Sequence, residues 1–341
     1  MSRKQLDDLF RTLENKTRIL ILPHNNPDSD AIASTVALQH LLREKLNIEG
    51  QIRYKGIIGR AENKALVRYL NHPLRHLNES DFQASVPLAF VDTQPGLKIS
   101  PTSQATEIAI VIDHHALYNA SLRDKVGFTD VRSDLGATST ILTDYVRAAE
   151  LELPVWLATA LFYGVKTSTM SLGRNTSSAD AEAYYFLQPK IDVEALTTIE
   201  TARVPPDYFK SFDATLRAAR VYDGIVISYL GPMSYPDLTA EMADLLLRLE
   251  GSDWVICLGV YENILILSIR TRNRLNSADQ LVQAMVGSDG TAGGHGTMAG
   301  GQIPLGNRDS NQLNLKLTER ALLHLRGVPQ MTGKPLIDAV D

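Results

Sequence analysis

Three short apolar runs, each leading into acidic or imidazole residues, limit what this chain can fold into more than any other feature. "RILIL" leads to His24, Asp28 and Asp30, "PLAFV" to Asp92, and "IAIVI" to Asp113, His114 and His115. Apolar runs of this length without polar alternation read as strands buried on both faces, as in a parallel sheet. Between them lie helical stretches: "AIASTVALQHLLREKL" (31–46), "ENKALVRYL" and "GATSTILTDYVRAAE" (136–150). Strands alternating with helices predict an α/β domain with a mostly parallel sheet flanked by helices. In such a sheet the strand carboxyl ends share one edge, and ligands bind there. Polar groups far apart in sequence would therefore converge.

The remaining pattern extends this reading. "KQLDDLFRTLE" (4–14) and "LPVWLATALFYGVKTST" (153–169) read as helices, and "GQIRYKG" as a further strand. A second pattern starts near 220. "YDGIVISYLG" (222–231) reads as a strand, and "WVICLGVYENILILSIRT" (254–271) as a hairpin turning at "YEN". "DLTAEMADLLLRLE" (237–250) is a helix between them. The expected division is a domain at 1–190, a helical connector at 191–215 carrying "VPP", and a smaller α/β domain at 216–341 across a cleft. The 341 residues, 44% of them hydrophobic, suffice for two cores.

Charge and composition narrow the partners. A formal net charge of −5 argues against long duplex nucleic acid, whose binders carry a basic excess. A short anionic ligand held by a few local cations fits. The single cysteine, Cys257, forms no intrachain disulfide and reads as a small buried hydrophobe. No signal-like segment opens the sequence, and no apolar run approaches the ~20 residues of a membrane span, so the expectation is a cytoplasmic protein without a membrane partner.

Singly, each polar residue has an ordinary reading. His24 suits a loop, Asp30 an N-cap, and Asp92 the start of a turn. Together at three strand ends they crowd negative charge onto one edge, which a pair of divalent cations would neutralise. Imidazole and carboxylate donors suit Mn²⁺, Fe²⁺, Co²⁺ or Zn²⁺; the carboxylate share and the absence of thiolates favour Mn²⁺.

"HNNPDSDAIAS", "FVDTQPG" and "VIDHHALYN" resemble motifs I, II and III of the DHH phosphoesterase superfamily. That group includes the exonuclease RecJ, nanoRNases, phosphatases acting on 3′-phosphoadenosine 5′-phosphate, cyclic-dinucleotide phosphodiesterases and type II inorganic pyrophosphatases. "TAGGHGTMAGGQIPL" (291–305) resembles the glycine-rich motif of the DHHA1 substrate domain, and the two-domain size resembles the nanoRNase and bisphosphate-phosphatase branch. The resemblance implies that His24, Asp28 and Asp92 hold a first metal, and that Asp30, Asp92 and His114 hold a second. His115 would lie beside the scissile phosphate, with Asp113 supporting the histidines. A water between metals about 3.5–4 Å apart would be the nucleophile. Arg270 and His295, with Gly293 and Gly294, would grip the substrate's far phosphate and base. Arg174, Arg272 and Arg274 would add positive field, and Asn276 and Ser277 are candidate base or sugar contacts. The implied activity is Mn²⁺-dependent hydrolysis of short single-stranded oligonucleotides, linear dinucleotides or a mononucleotide bisphosphate. A homodimer is compatible with the family.

The fourth motif departs from the pattern. "GVKTSTM" places Ser168 where the superfamily carries a metal-binding aspartate. Three readings stand side by side: a water serves in that place, the chain is a weakened or inactive nucleotide binder, or the position has been changed deliberately. Asp180, twelve residues on, is a poor substitute because it belongs to the next helix.

Overall fold

The computed structural model describes residues 3–82, 86–96, 107–116, 126–273, 277–329 and 332–337, with residue 295 described by its backbone alone. The chain forms two compact units, Met1–Ala202 and Arg203–Asp341. The segment 191–215 is shared between them: helix α7 (Val193–Glu200) lies in the first and α8 (Pro206–Ala218) in the second. Arg274 and Asn276 lie outside the described residues.

The first unit is built on strands β1 (Arg18–Leu22), β2 (Glu49–Tyr54), β3 (Leu74–His76), β4 (Leu88–Val91), β5 (Ile108–Asp113) and β6 (Phe128–Val131). Their order is β3-β2-β1-β4-β5-β6, and each neighbouring pair is parallel. The sequence pattern missed β3 and β6, which are the two edges. Every residue of β4 is buried, as are all residues of β1 after Arg18. The chain runs outward one way through β2 and β3, then the other way through β5 and β6. The reversal falls between β1 and β4, where parallel α/β sheets open a crevice at their carboxyl edge.

Helix α2 (Ser29–Leu46) follows β1 and packs against α4 (Thr138–Ala148) and α5 (Val155–Ser168). Asp28 caps its start, accepting from the N–H groups of Asp30 and Ala31. The first turn of α2 is buried, with Ser29 bonded to Thr167 near the end of α5 and Asp30 to the N–H groups that open α4.

The second unit carries a seven-stranded sheet ordered β11 (Thr291–His295), β12 (Met298–Pro304), β10 (Ile264–Thr271), β9 (Trp254–Tyr261), β8 (Ile225–Pro232), β7 (Arg220–Tyr222) and β13 (Lys334–Pro335). Among the described residues of this sheet only β8 and β9 pair in parallel, joined through α9 (Leu238–Leu246). Strand alternation splits the core. Ile256, Leu267 and Ile269 pack with α10 (Ala278–Val286) and α11 (Ser310–Arg326), while Val226, Val255 and Cys257 pack with α9. The predicted hairpin turns at Glu262 and Asn263, both left-handed. The glycine-rich stretch is a second hairpin, β11–β12, turning at Gly296. Among the described residues no helix is long and apolar enough to cross a membrane.

Candidate metal centre

The centre begins with the loop that follows β1. Asn26 adopts a left-handed conformation, its Oδ1 accepts from the Ile57 N–H at 2.8 Å, and its own N–H donates to Lys55 O at 3.0 Å. These bonds tie the loop to the exit of β2, and Asp28 fixes its other end by capping α2. His24 Nδ1 lies 2.8 Å from Asn25 O. A carbonyl only accepts, so Nδ1 carries a proton and Nε2 is the nitrogen left to meet a metal; burial disfavours a charge on this ring, but Asp28 and Asp92 raise its pKa well above the ordinary histidine value. Nε2 faces Asp92 Oδ2 at 3.4 Å and Asp28 Oδ1 at 3.8 Å. His114 repeats the device. Its Nδ1 lies 3.1 Å from Leu135 O, and its Nε2 faces Asp92 Oδ1 at 3.6 Å and Asp30 Oδ2 at 4.0 Å.

Asp92, immediately after β4, is the shared member. It is 3% exposed, has φ 59° and accepts a 2.7 Å hydrogen bond from Thr138 Oγ1. The left-handed region is uncommon for residues other than glycine, and aspartate is among those that adopt it. Two sets of ligand atoms, His24–Asp28–Asp92 and Asp92–His114–His115, each lie within 4.8 Å of one another.

These donors fit a divalent cation. Ligand atoms about 2.1 Å from one ion stand roughly 3.0–3.4 Å apart. The Nε2–carboxylate separations are close to that and long for direct hydrogen bonds. Both histidines show the backbone-carbonyl support typical of metal ligands. Electrostatics agree. Burial, and then the charge of Asp92, push the Asp30 carboxyl up to about 7, a carboxylate under strain that a cation would relieve. Burial would also raise Asp92, but the imidazoles of His24, His115 and His114 hold it well below the usual carboxylate range.

Asp30 does not join either set. Its oxygens accept from the Thr138 N–H at 2.8 Å, the Ser139 N–H at 2.7 Å and Ser34 Oγ at 3.2 Å. It therefore caps the start of α4, whose own N-cap residue Ala137 makes no side-chain hydrogen bond. Asp113 stands behind the centre. Its Oδ1 accepts from His115 Nδ1 at 2.8 Å. Partial burial works against a charge on His115, but the bond to Asp113 and the field of Asp92 push it up to about 9.

Residues 18–165 match the model of the DHH family, N-terminal domain. This chain carries a DHH family domain. An uncharacterised protein of Methanocaldococcus jannaschii is 37% identical over 86% of this chain and 59% of its own length. A probable manganese-dependent inorganic pyrophosphatase of Lactobacillus gasseri is 25% identical over 53% of this chain and 54% of its own. The chain thus spans little more than half the length of these relatives. The crystal structure of an exopolyphosphatase-related protein from Bacteroides fragilis superimposes with a TM-score of 0.75 at 16% identity, covering 95% of this chain and 96% of that one.

Just beyond the matched residues, Ser168 ends α5 one helical turn after Gly164, on the face that meets α2. Its neighbour Thr167 shares a 2.7 Å hydrogen bond with Ser29. Asp180 is fully buried and bonded to Gly136 N–H, Thr140 Oγ1 and the Ser177 capping box, so it is engaged in structure. In the second unit, strand register aligns Arg270 with Met298 and Met298 with His295, while Gly293 and Gly294 lie alongside on β11. The Arg270 guanidinium is bonded to Asp244 on α9 at 2.6 Å. Arg272 donates to Leu247 O at the end of that helix. Reading the sequence did not single out Gln94, Thr138 or Ser139. Gln94 is visible only as a polar residue inside "DTQPG", and the other two only as small hydroxyl residues opening a helix.

Proposed function

We propose that this chain is a divalent-metal-dependent phosphoesterase, with Mn²⁺ as its metal, that hydrolyses short oligonucleotides, linear dinucleotides or 3′-phosphoadenosine 5′-phosphate. The observation that carries this is the pair of donor sets sharing Asp92 at the carboxyl edge of the sheet. The manganese in the name of the pyrophosphatase relatives supports the choice of metal. His24, Asp28 and Asp92 would hold one metal and Asp30, Asp92 and His114 a second, and when bound these ions would lower the pKa of a coordinated water and offset charge on a phosphate. His115 is half-exposed with Nδ1 tied to Asp113, so its other nitrogen faces outward as a donor to a phosphoryl oxygen. In the second unit, Arg270 is proposed to bind an anionic end of the ligand with its guanidinium aligned by Asp244. Gly293 supports the same reading: a Cβ there would meet open space, so packing does not demand glycine, and a close ligand would.

Ser168 favours a second reading, a nucleotide-binding protein with little turnover, because a neutral hydroxyl stands where a carboxylate would balance a second cation. One experiment separates the two. The protein, Ser168→Asp and Asp92→Asn are incubated with Mn²⁺ and, separately, pApA, 3′-phosphoadenosine 5′-phosphate and pyrophosphate, with products resolved by liquid chromatography. Mononucleotide from pApA, or phosphate from the bisphosphate, is expected from the protein and absent with Asp92→Asn. Turnover by Ser168→Asp alone would establish the binding reading. Silence from both folded proteins on all three compounds would overturn the phosphoesterase assignment.

A further inference from the structure

Gln94 is 1% exposed, two residues beyond Asp92. Its Nε2 lies 2.7 Å from Asp113 Oδ2 and 3.1 Å from Ala116 O. Both are acceptors, so the nitrogen of the amide faces them and the oxygen faces away. One side-chain amide thus joins the segment after β4 to the segment after β5. Asp113 is completely buried, and among the described residues its hydrogen-bond donors are Gln94 and His115 rather than a lysine or arginine. Its Oδ2 takes Gln94; its Oδ1 takes the His115 N–H at 3.2 Å and His115 Nδ1 at 2.8 Å. Donors on both oxygens satisfy a buried carboxylate and hold it in one rotamer.

We propose that Gln94 is a positioning residue of this centre: it fixes the carboxylate of Asp113, which fixes the ring of His115 with Nδ1–H inward and Nε2 outward. Without the amide, Oδ2 is left without this donor. Asp113 is then free to rotate towards another donor, which weakens its hold on His115 Nδ1–H and lets the ring turn. Losing such a supporting hydrogen bond lowers activity by roughly 10- to 100-fold. The inference rests on the hydrolytic reading for its kinetic arm only.

The test uses Gln94→Met, which keeps the volume and removes the donor, and Gln94→Ala as a second variant. Asp113→Asn identifies the His115 signal. Proton NMR of metal-free, histidine-¹⁵N-labelled protein should show a downfield His115 Nδ1–H resonance. That resonance should move upfield or broaden in folded Gln94→Met, with kcat down about 10- to 100-fold and KM within about twofold. Should the parent protein turn nothing over, the hydrolytic reading fails while the resonance still reports on Gln94. Folded variants with an unchanged His115 resonance would overturn the proposal, as would a parent protein in which Asp113→Asn removes no downfield signal.

Discussion

At the scale of single residues, the centre depends on side chains whose spare hydrogen-bonding groups are already committed. His24 and His114 each give Nδ1 to a backbone carbonyl, and Asp92 takes the hydroxyl of Thr138. Thr138→Val should therefore leave the fold intact and weaken Mn²⁺ binding by about tenfold, measured by calorimetry on metal-stripped protein. The candidate ligand residues were legible in the sequence because each follows an apolar run, and strand ends in a parallel sheet share an edge. Their supports were not. Thr138 and Ser139 reach Asp92 and Asp30 across long stretches of chain, and no periodicity encodes a hydrogen bond of that kind. Asp30 shows the limit well. Its position before a helix suggests a cap for α2, yet Asp28 caps α2 and Asp30 caps α4.

At the scale of elements, the site requires α2, α4 and α5 to meet closely. Gly164 makes that possible. A Cβ there would stand 2.2 Å from Ser139 Oγ, 3.1 Å from Ser139 Cβ and 3.3 Å from the Asp30 Cα. Alanine is favoured over glycine inside a helix by about 1 kcal/mol, but overpacking costs about 1–3 kcal/mol. Gly164→Ala is therefore expected to lower stability to urea and to weaken metal binding, with Ser139→Ala in the same chain recovering part of both. Sequence pattern recovered the buried strands and missed β3 and β6 for a physical reason. Both are short edge strands with partly exposed residues, so they lack the apolar run that marks the centre of the sheet. The β11–β12 hairpin was hidden differently. Its glycines carry no strand propensity, and pairing of β12 with β10 imposes the conformation.

At the scale of the whole molecule, each unit has its own core and its own electrostatic ties. In the second, Asp289 meets Arg320 at 3.1 Å, Arg308 at 3.2 Å and Lys316 at 4.0 Å. The hydrogen bond from Arg320 outweighs desolvation and, with these cations, holds the Asp289 carboxyl below its ordinary value. Its stabilising contribution is therefore present above the unfolded-state value of about 3.9 and lost as pH falls through the lower native one. Asp289→Asn should be less stable than the parent near neutral pH, with the gap closing in acid, followed by urea unfolding across pH. The central claim, a metal centre built on Asp92, is tested most directly by titrating Mn²⁺ into metal-stripped protein and into Asp92→Asn in a calorimeter. Saturable binding by the parent, weakened at least about 100-fold in the variant, is expected, because Asp92 belongs to both donor sets. Equal binding by the two proteins, or none by the folded parent, would contradict it.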